Sequence, residues 1–286
     1  MKLCRYRLDD GMPRVGVLSR RGDAVIDLSA AGIERLDALL DERNPVRTLE
    51  RVTMRRLPRH ELSAVTLLAP VDEQEVWAVG VTYLRSKAAR MDESDFSASA
   101  YDRVYDAKRP ELFFKALPHK VVGTGDAVGI RRDARWSVPE PELVLVLNSR
   151  GALVGYAIGN DMSSRDIEGE NLLYLPQAKI YNRSCALGPW VVVGATEVTA
   201  RRWTISIVIR RGGREVFGGS TRVSRIKRRF AELRRYLVRS QDFPHGAMLF
   251  TGTGIVPADD FTLHRGDVVT ISISGIGTLS NTVVVV

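Results

Sequence analysis

The sequence predicts a sheet-rich α+β fold, and three observations carry that prediction. Eight short apolar runs follow Pro70, long helical patterns are few, and no repeat of fixed period is visible. Strands alternating with helices would indicate a βαβ ladder, whereas many short strands with scattered helices indicate a mixed, sheet-rich domain. At about 100–200 residues per domain, 286 residues suit one large domain with a smaller companion.

Residues 1–70 read as the small unit. CRYRL, RVGVLS and AVIDL are strand-like, a helical piece is expected around Gly32 to Leu40, and a charged stretch runs through Arg59 before LLAPV marks the end. Residues 71–286 form the larger unit, with strands expected at EVWAVGV, ELVLVLN, GYAIGN, WVVVG, WTISIVIR, AMLFTGTG, DVVTISISGIG and TVVVV. Between Leu84 and Pro110 lies a long polar segment flanked by apolar runs. A segment of that length inside a compact domain predicts a functional lid with its own helix. From Ser224 to Ser240, Ile226, Phe230, Leu233 and Leu237 recur at spacings of four, three and four, which predicts one apolar helix face with Ser224 as N-cap.

Composition narrows the chemistry. With 44% hydrophobic and 27% charged residues, 12 prolines and 24 glycines, the chain excludes disorder, collagen-like repeats and coiled coil. Two cysteines, Cys4 and Cys185, make no disulfide framework, and four scattered histidines without CxxC or HExxH leave no zinc signature. Any metal should therefore have oxygen ligands. The first residues lack the apolar core of a signal peptide, and no stretch approaches about 18 consecutive apolar residues, so a cytoplasmic protein without a membrane partner is expected. The net charge of +8 is almost all guanidinium, since only seven of 42 basic residues are lysine. No aromatic platforms are interleaved with the arginines, so a nucleic-acid partner is not expected and an anionic small molecule explains the charge as well.

The strongest chemical signal is Pro139-Glu140-Pro141-Glu142 at the head of LVLVL. On a strand, Glu140 and Glu142 project from one face and repel unless a cation or a shared proton compensates them. A hairpin through SRGAL to VGYAIGN returns the chain to their level and adds Asp161. Three carboxylates make a site for Mg²⁺, Mn²⁺ or Ca²⁺. Solvated charges at a strand head and an Asx-turn at Asp161 are the plainer readings. Lys179 is the sole lysine between Lys120 and Lys227, a sparing use that hints at a task arginine cannot do, as a base or a carboxylate-binding cation. Thr251-Gly252-Thr253-Gly254 allows close backbone approach to an anion but lacks P-loop spacing. Ser184-Cys185 has no histidine nearby in sequence, so a nucleophilic triad is unsupported.

From about Val76 to the C-terminus, the order WAVGVTY, PEPE, GNDMSSRD, Lys179 and TGTG resembles the fumarylacetoacetate hydrolase family. The resemblance implies a metal-dependent enzyme acting on 2-keto acids or 1,3-diketones, with a mixed β-roll catalytic domain and homodimers or homotetramers. By the same resemblance Glu140, Glu142 and Asp161 are metal ligands, with Mg²⁺ as the first choice. Lys179 is the active-site lysine, and Thr253 and Gly254 lie in the loop that meets the substrate carboxylate. Hydrolytic members usually carry a histidine three residues after the motif tyrosine. Here Tyr83 is followed by Leu84, Arg85 and Ser86, so the water-activating base is missing.

The strings PELFFK, GNDMSSRDIEGENLLYLPQAKIYNRSCALGP and TGTGIVP resemble the branch of the family that dehydrates 2-keto-3-deoxy pentonates. That resemblance implies a hydro-lyase forming 2,5-dioxopentanoate, with an acylpyruvate or 1,3-diketone hydrolase as the alternative. Dehydration needs one group to accept the C3 proton and one to assist the departing C4 hydroxide. Lys179 and Glu111 are the candidates, in either order, and Ser86 and Glu168 are candidates for binding substrate hydroxyls. Forming the 2-keto-3-deoxy acid from D-arabinonate or D-xylonate erases the centres at C2 and C3, so both sugars deliver one identical substrate.

Overall fold

A computed structural model describes residues 1–84 and 103–286. Its centre is the strand Pro141–Leu147, every residue of which is buried. Leu143, Leu145 and Leu147 point into one core, while Val144 and Val146 point into another on the opposite face. Covering on both faces is why this run reads as continuously apolar rather than alternating.

The strand lies in a large mixed sheet of twelve strands among the described residues. Along its path run Arg59–Glu61, Ala24–Asp27, Arg14–Leu18, Lys2–Arg7, Cys185–Val193, Leu153–Asp161, Pro141–Leu147, Ala247–Phe250, Glu75–Val79 and Leu112–Ala116. Thr66–Leu68 adds to Lys2–Arg7, and Val121–Val122 adds to Cys185–Val193 in parallel. A second sheet takes the order Arg214–Arg222, Thr204–Arg211, Val268–Ile273, Gly277–Val285 and Ala127–Ile130. The core between the two sheets joins Leu143, Leu145 and Ile158 to Ile205, Ile207, Ile271 and Leu279. On the far side of the large sheet, Val144, Val146, Leu187 and Val191 pack with Leu3, Val15, Val17, Leu36 and Leu49 of the N-terminal region.

The expected sheet-rich α+β architecture is present. The small unit foreseen at residues 1–70 is hydrogen-bonded into the large sheet, because Lys2 and Leu3 pair with Val192 and Val191. Its helices are Leu36–Leu40 and Pro45–Thr53. The second lies in what the sequence presented as a charged stretch. Asn44 caps it by accepting from Arg47 N–H at 3.0 Å, with Pro45 in its first turn.

The helix expected from Ser224 to Ser240 is shorter, Phe230–Leu237. All four predicted apolar residues are buried, but Ser224 lies in a 3₁₀ turn and caps nothing. Ile226 is extended, Lys227 N–H bonds to the Thr82 carbonyl, and Arg201 holds the carbonyls of Ile226 and Arg228. These long-range bonds spend the backbone groups that a longer helix would need. Residues 103–110, the end of the expected lid, pack against that helix: Tyr236 Oη donates to the Lys108 carbonyl, and Arg228 donates to that of Ala107. The rest of that segment lies outside the described residues. No helix among the described residues is long and apolar enough to cross a membrane.

Candidate metal centre and active site

The hairpin that unites Pro141–Leu147 with Leu153–Asp161 sets the site. Its register pairs Pro141 with Asn160 and Glu142 with Gly159, and Asp161 N–H bonds to the Glu140 carbonyl at 3.0 Å. Asp161 therefore arrives beside the two glutamates, as the hairpin reading expected. One carboxylate oxygen from each of Glu140, Glu142 and Asp161 lies within 4.8 Å of the others, and all three side chains are buried. Burial, together with the charges of Asp161 and Glu140, pushes Glu142 well above the usual carboxylate range. A cation placed beside Glu142 would offset that penalty.

Each carboxylate also meets a polar or cationic group from outside the cluster. Arg165 Nη2 reaches Glu140 Oε1 at 2.8 Å, Gly252 N–H reaches Glu142 Oε2 at 2.6 Å, and Lys115 Nζ lies 2.5 Å from Asp161 Oδ1. Gly252 presents its N–H from a left-handed conformation (φ 86°), where a Cβ would also lie 2.3 Å from Thr82 Oγ1. Lys179, buried at the end of the helix Leu175–Lys179, spans the cluster at 2.8 Å from Glu140 Oε2 and 3.1 Å from Asp161 Oδ2. Three carboxylates thus face three cationic side chains in a space closed to bulk water.

Glu111, Glu168, Thr253 and Gly254 are the other predicted site residues within the described part of the chain. Glu111 directly precedes the strand Leu112–Ala116, and its carbonyl accepts from Gly80 N–H at 3.3 Å. Phe113 turns its ring toward Lys179 Nζ at 5.8 Å. Glu111 fits against the chain because position 80 is glycine, where a Cβ would stand 1.9 Å from Glu111 Oε2. Glu168 is buried and accepts from Ser163 Oγ at 3.1 Å. The Thr253 hydroxyl is engaged by its own turn and by the central strand, donating toward the carbonyls of Ile255 and Pro141 at 3.2 and 3.1 Å. Gly254 lies under Tyr83, whose ring would be 2.4 Å from a Cβ there. Ser86 lies outside the described residues.

Ser184 and Cys185 are structural. Ser184 Oγ donates to the Lys179 carbonyl at 2.9 Å, and burial pushes the Cys185 thiol up to about 12, far from a reactive thiolate.

The fumarylacetoacetate (FAA) hydrolase C-terminal pattern matches residues 75–284, well over half of the chain. The chain belongs to the fumarylacetoacetate hydrolase family. Within it, the chain is 50% identical over 217 residues to a probable 2-keto-3-deoxyxylonate dehydratase of Haloferax volcanii, covering 76% of this chain and 74% of that one. It is 42% identical over 226 residues to the 2-dehydro-3-deoxy-D-arabinonate dehydratase of Saccharolobus solfataricus, covering 78% and 76% respectively. A solved structure of a 2-keto-3-deoxy-D-arabinonate dehydratase, complexed with magnesium and 2,5-dioxopentanoate, superposes with a TM-score of 0.81 at 34% identity, covering 100% of this chain and 99% of that one.

Two residues of this family member escaped sequence reasoning. Lys115 is the last residue of PELFFK and Arg165 the penultimate residue of GNDMSSRD; both strings were noticed for other members. Their signal was a cationic residue placed within or just after a strand run, where a buried position demands a partner.

Proposed function

We propose that this protein is a hydro-lyase that converts 2-dehydro-3-deoxy-D-arabinonate, which is also the acid derived from D-xylonate, to 2,5-dioxopentanoate and water. The observation that carries the reading is the buried Glu140, Glu142 and Asp161 cluster, whose ligand atoms lie within 4.8 Å of one another. The names of the two relatives describe one compound, since the xylonate-derived and arabinonate-derived acids share their C4 configuration.

The donor set is all oxygen, it is buried, and Glu142 within it is held well above the usual carboxylate range, so it fits Mg²⁺, with Mn²⁺ or Ca²⁺ as substitutes. Bound by these three carboxylates, the ion supplies Lewis acidity to a chelated 2-oxoacid and makes the C3 hydrogens removable. The chain's own groups move the protons. Glu111 and Lys179 divide two tasks: one receives the C3 proton, and the other delivers a proton to the departing C4 hydroxyl. Transfer of a C5 proton to C3 and tautomerisation of the resulting enol then give the aldehyde, with one water lost overall. Glu168 and Ser86 bind substrate hydroxyls, and the turn at Thr253 and Gly254 meets the carboxylate. The missing histidine after Tyr83 supports elimination over hydrolysis, because no external nucleophile is needed. Residues 71–286 form the catalytic unit, residues 1–70 the small N-terminal one, and the enzyme works as a cytoplasmic homodimer or homotetramer.

The test is an assay of purified protein with Mg²⁺. Formation of 2,5-dioxopentanoate from 2-keto-3-deoxy-D-arabinonate is expected. Cleavage of acylpyruvates with that acid left untouched would overturn the reading in favour of a hydrolase.

A further inference from the structure

We infer that Lys115 is a positioning residue for this site, one buried ammonium that fixes both the carboxylate of Asp161 and the main chain carrying Lys179. The inference rests on the dehydratase reading and deepens it. Lys115 is the penultimate residue of an apolar and aromatic strand, Leu112–Ala116, with its side chain fully buried. An ammonium in such a position is costly unless its hydrogens are used. Two of its hydrogens go to the carbonyls of Lys179 at 2.5 Å and Met162 at 3.0 Å, and its charge is paired with Asp161 Oδ1 at 2.5 Å.

These contacts close a ring. Lys115 holds one oxygen of Asp161, the other oxygen of Asp161 meets Lys179 Nζ at 3.1 Å, and the carbonyl of Lys179 returns to Lys115. Arg165 and Gly252 N–H donate to Glu140 and Glu142. Lys115 differs because it binds a carboxylate of the cluster and the backbone of a catalytic candidate through the same nitrogen. It therefore sets the spacing between the ion-binding group and the proton-transferring group, as outer-shell donors do in metal sites generally.

The sign of the effect separates positioning from simple charge. As a charge alone, Lys115 repels a divalent cation, and removing it would tighten binding. As a positioning group, its removal frees Asp161 to rotate and weakens binding by about 10–100-fold. Isothermal titration of Mg²⁺ alone into wild type and Lys115→Met distinguishes the two, with Lys115→Gln as a variant that keeps an N–H donor for the carbonyls. The inference predicts a dissociation constant raised at least about tenfold in the Met variant. It also predicts a kcat that stays low at saturating Mg²⁺, and partial recovery of both in the Gln variant. Lowered thermal stability with wild-type Mg²⁺ affinity and kcat would overturn it, as would tighter Mg²⁺ binding. Should neither variant fold, the map of Mg²⁺-loaded wild type decides: Lys115 Nζ still against Asp161 and the Lys179 carbonyl supports the inference, and a withdrawn side chain refutes it. Wild type that binds Mg²⁺ without dehydrating the pentonate defeats the functional reading instead, leaving the Mg²⁺ comparison to judge Lys115 by itself.

Discussion

Glu142 concentrates the physics of the site. Burial is the largest influence on its carboxyl, followed by the charges of Asp161 and Glu140, and together they raise it well above the ordinary carboxylate range. A folded-state pKa above the unfolded value of about 4.3 means that the folded chain holds the proton more tightly. Without metal, stability therefore falls as pH rises through the unfolded value toward the raised one. Glu142→Gln removes that ionisation. Its metal-free melting temperature should equal or exceed that of wild type at neutral pH and vary less across the window, while calorimetry should find Mg²⁺ binding abolished. Retained Mg²⁺ binding would remove Glu142 from the ligand set. At this scale the glutamate pair was legible because period-two spacing at the head of a strand brings Glu140, just before it, and Glu142, within it, to one place. Asp161 was legible because a short hairpin returns to a known level. Lys115 and Arg165 were not, since their contacts depend on how distant strands pack, which local pattern does not encode.

The hairpin is the element that delivers the carboxylates, and Gly159 is its tightest point. Gly159 faces Glu142 in the register, and a Cβ there would stand 2.2 Å from the Phe250 ring and 2.7 Å from Val144 Cγ2. Both neighbours are buried in the core, so neither can withdraw cheaply. Gly159→Ala should cost about 1–3 kcal/mol by overpacking. It should also weaken Mg²⁺ binding by displacing Asp161 two residues on; chemical denaturation and calorimetry on one preparation would show both effects. Loss of stability without any change in Mg²⁺ affinity would mean that the hairpin absorbs the strain elsewhere. Strands covered on both faces announced themselves as apolar runs. Arg214–Arg222 did not, because most of its residues are exposed at a sheet edge and its sequence, REVFGGSTR, is polar and glycine-rich. The basic helix showed the converse: its apolar face was read correctly, and its N-terminal turns were lost to hydrogen bonds from Arg201 and to the Thr82 carbonyl that no helical periodicity reports.

Across the whole molecule, one sheet joins the first residues of the chain to the site. Lys2–Arg7 pairs with Cys185–Val193, and that strand pairs with Leu153–Asp161, so the N-terminal strand lies two strands from Asp161. Leu3, Val15 and Val17 share a core with Val144, Leu187 and Val191. Scanning calorimetry should therefore find one cooperative transition whose calorimetric and van't Hoff enthalpies agree; two resolved transitions would show that residues 1–70 fold apart from the rest. All of this scaffold holds three buried carboxylates where an ion and an oxoacid can meet, and a density map of crystals soaked with Mg²⁺ and 2-oxobutyrate tests that most directly. The account predicts one ion about 2.1 Å from an oxygen of each of Glu140, Glu142 and Asp161, with the oxoacid chelating it beside Lys179. An ion bound elsewhere, or a cluster that stays closed around Lys179 with no density between its carboxylates, would contradict it.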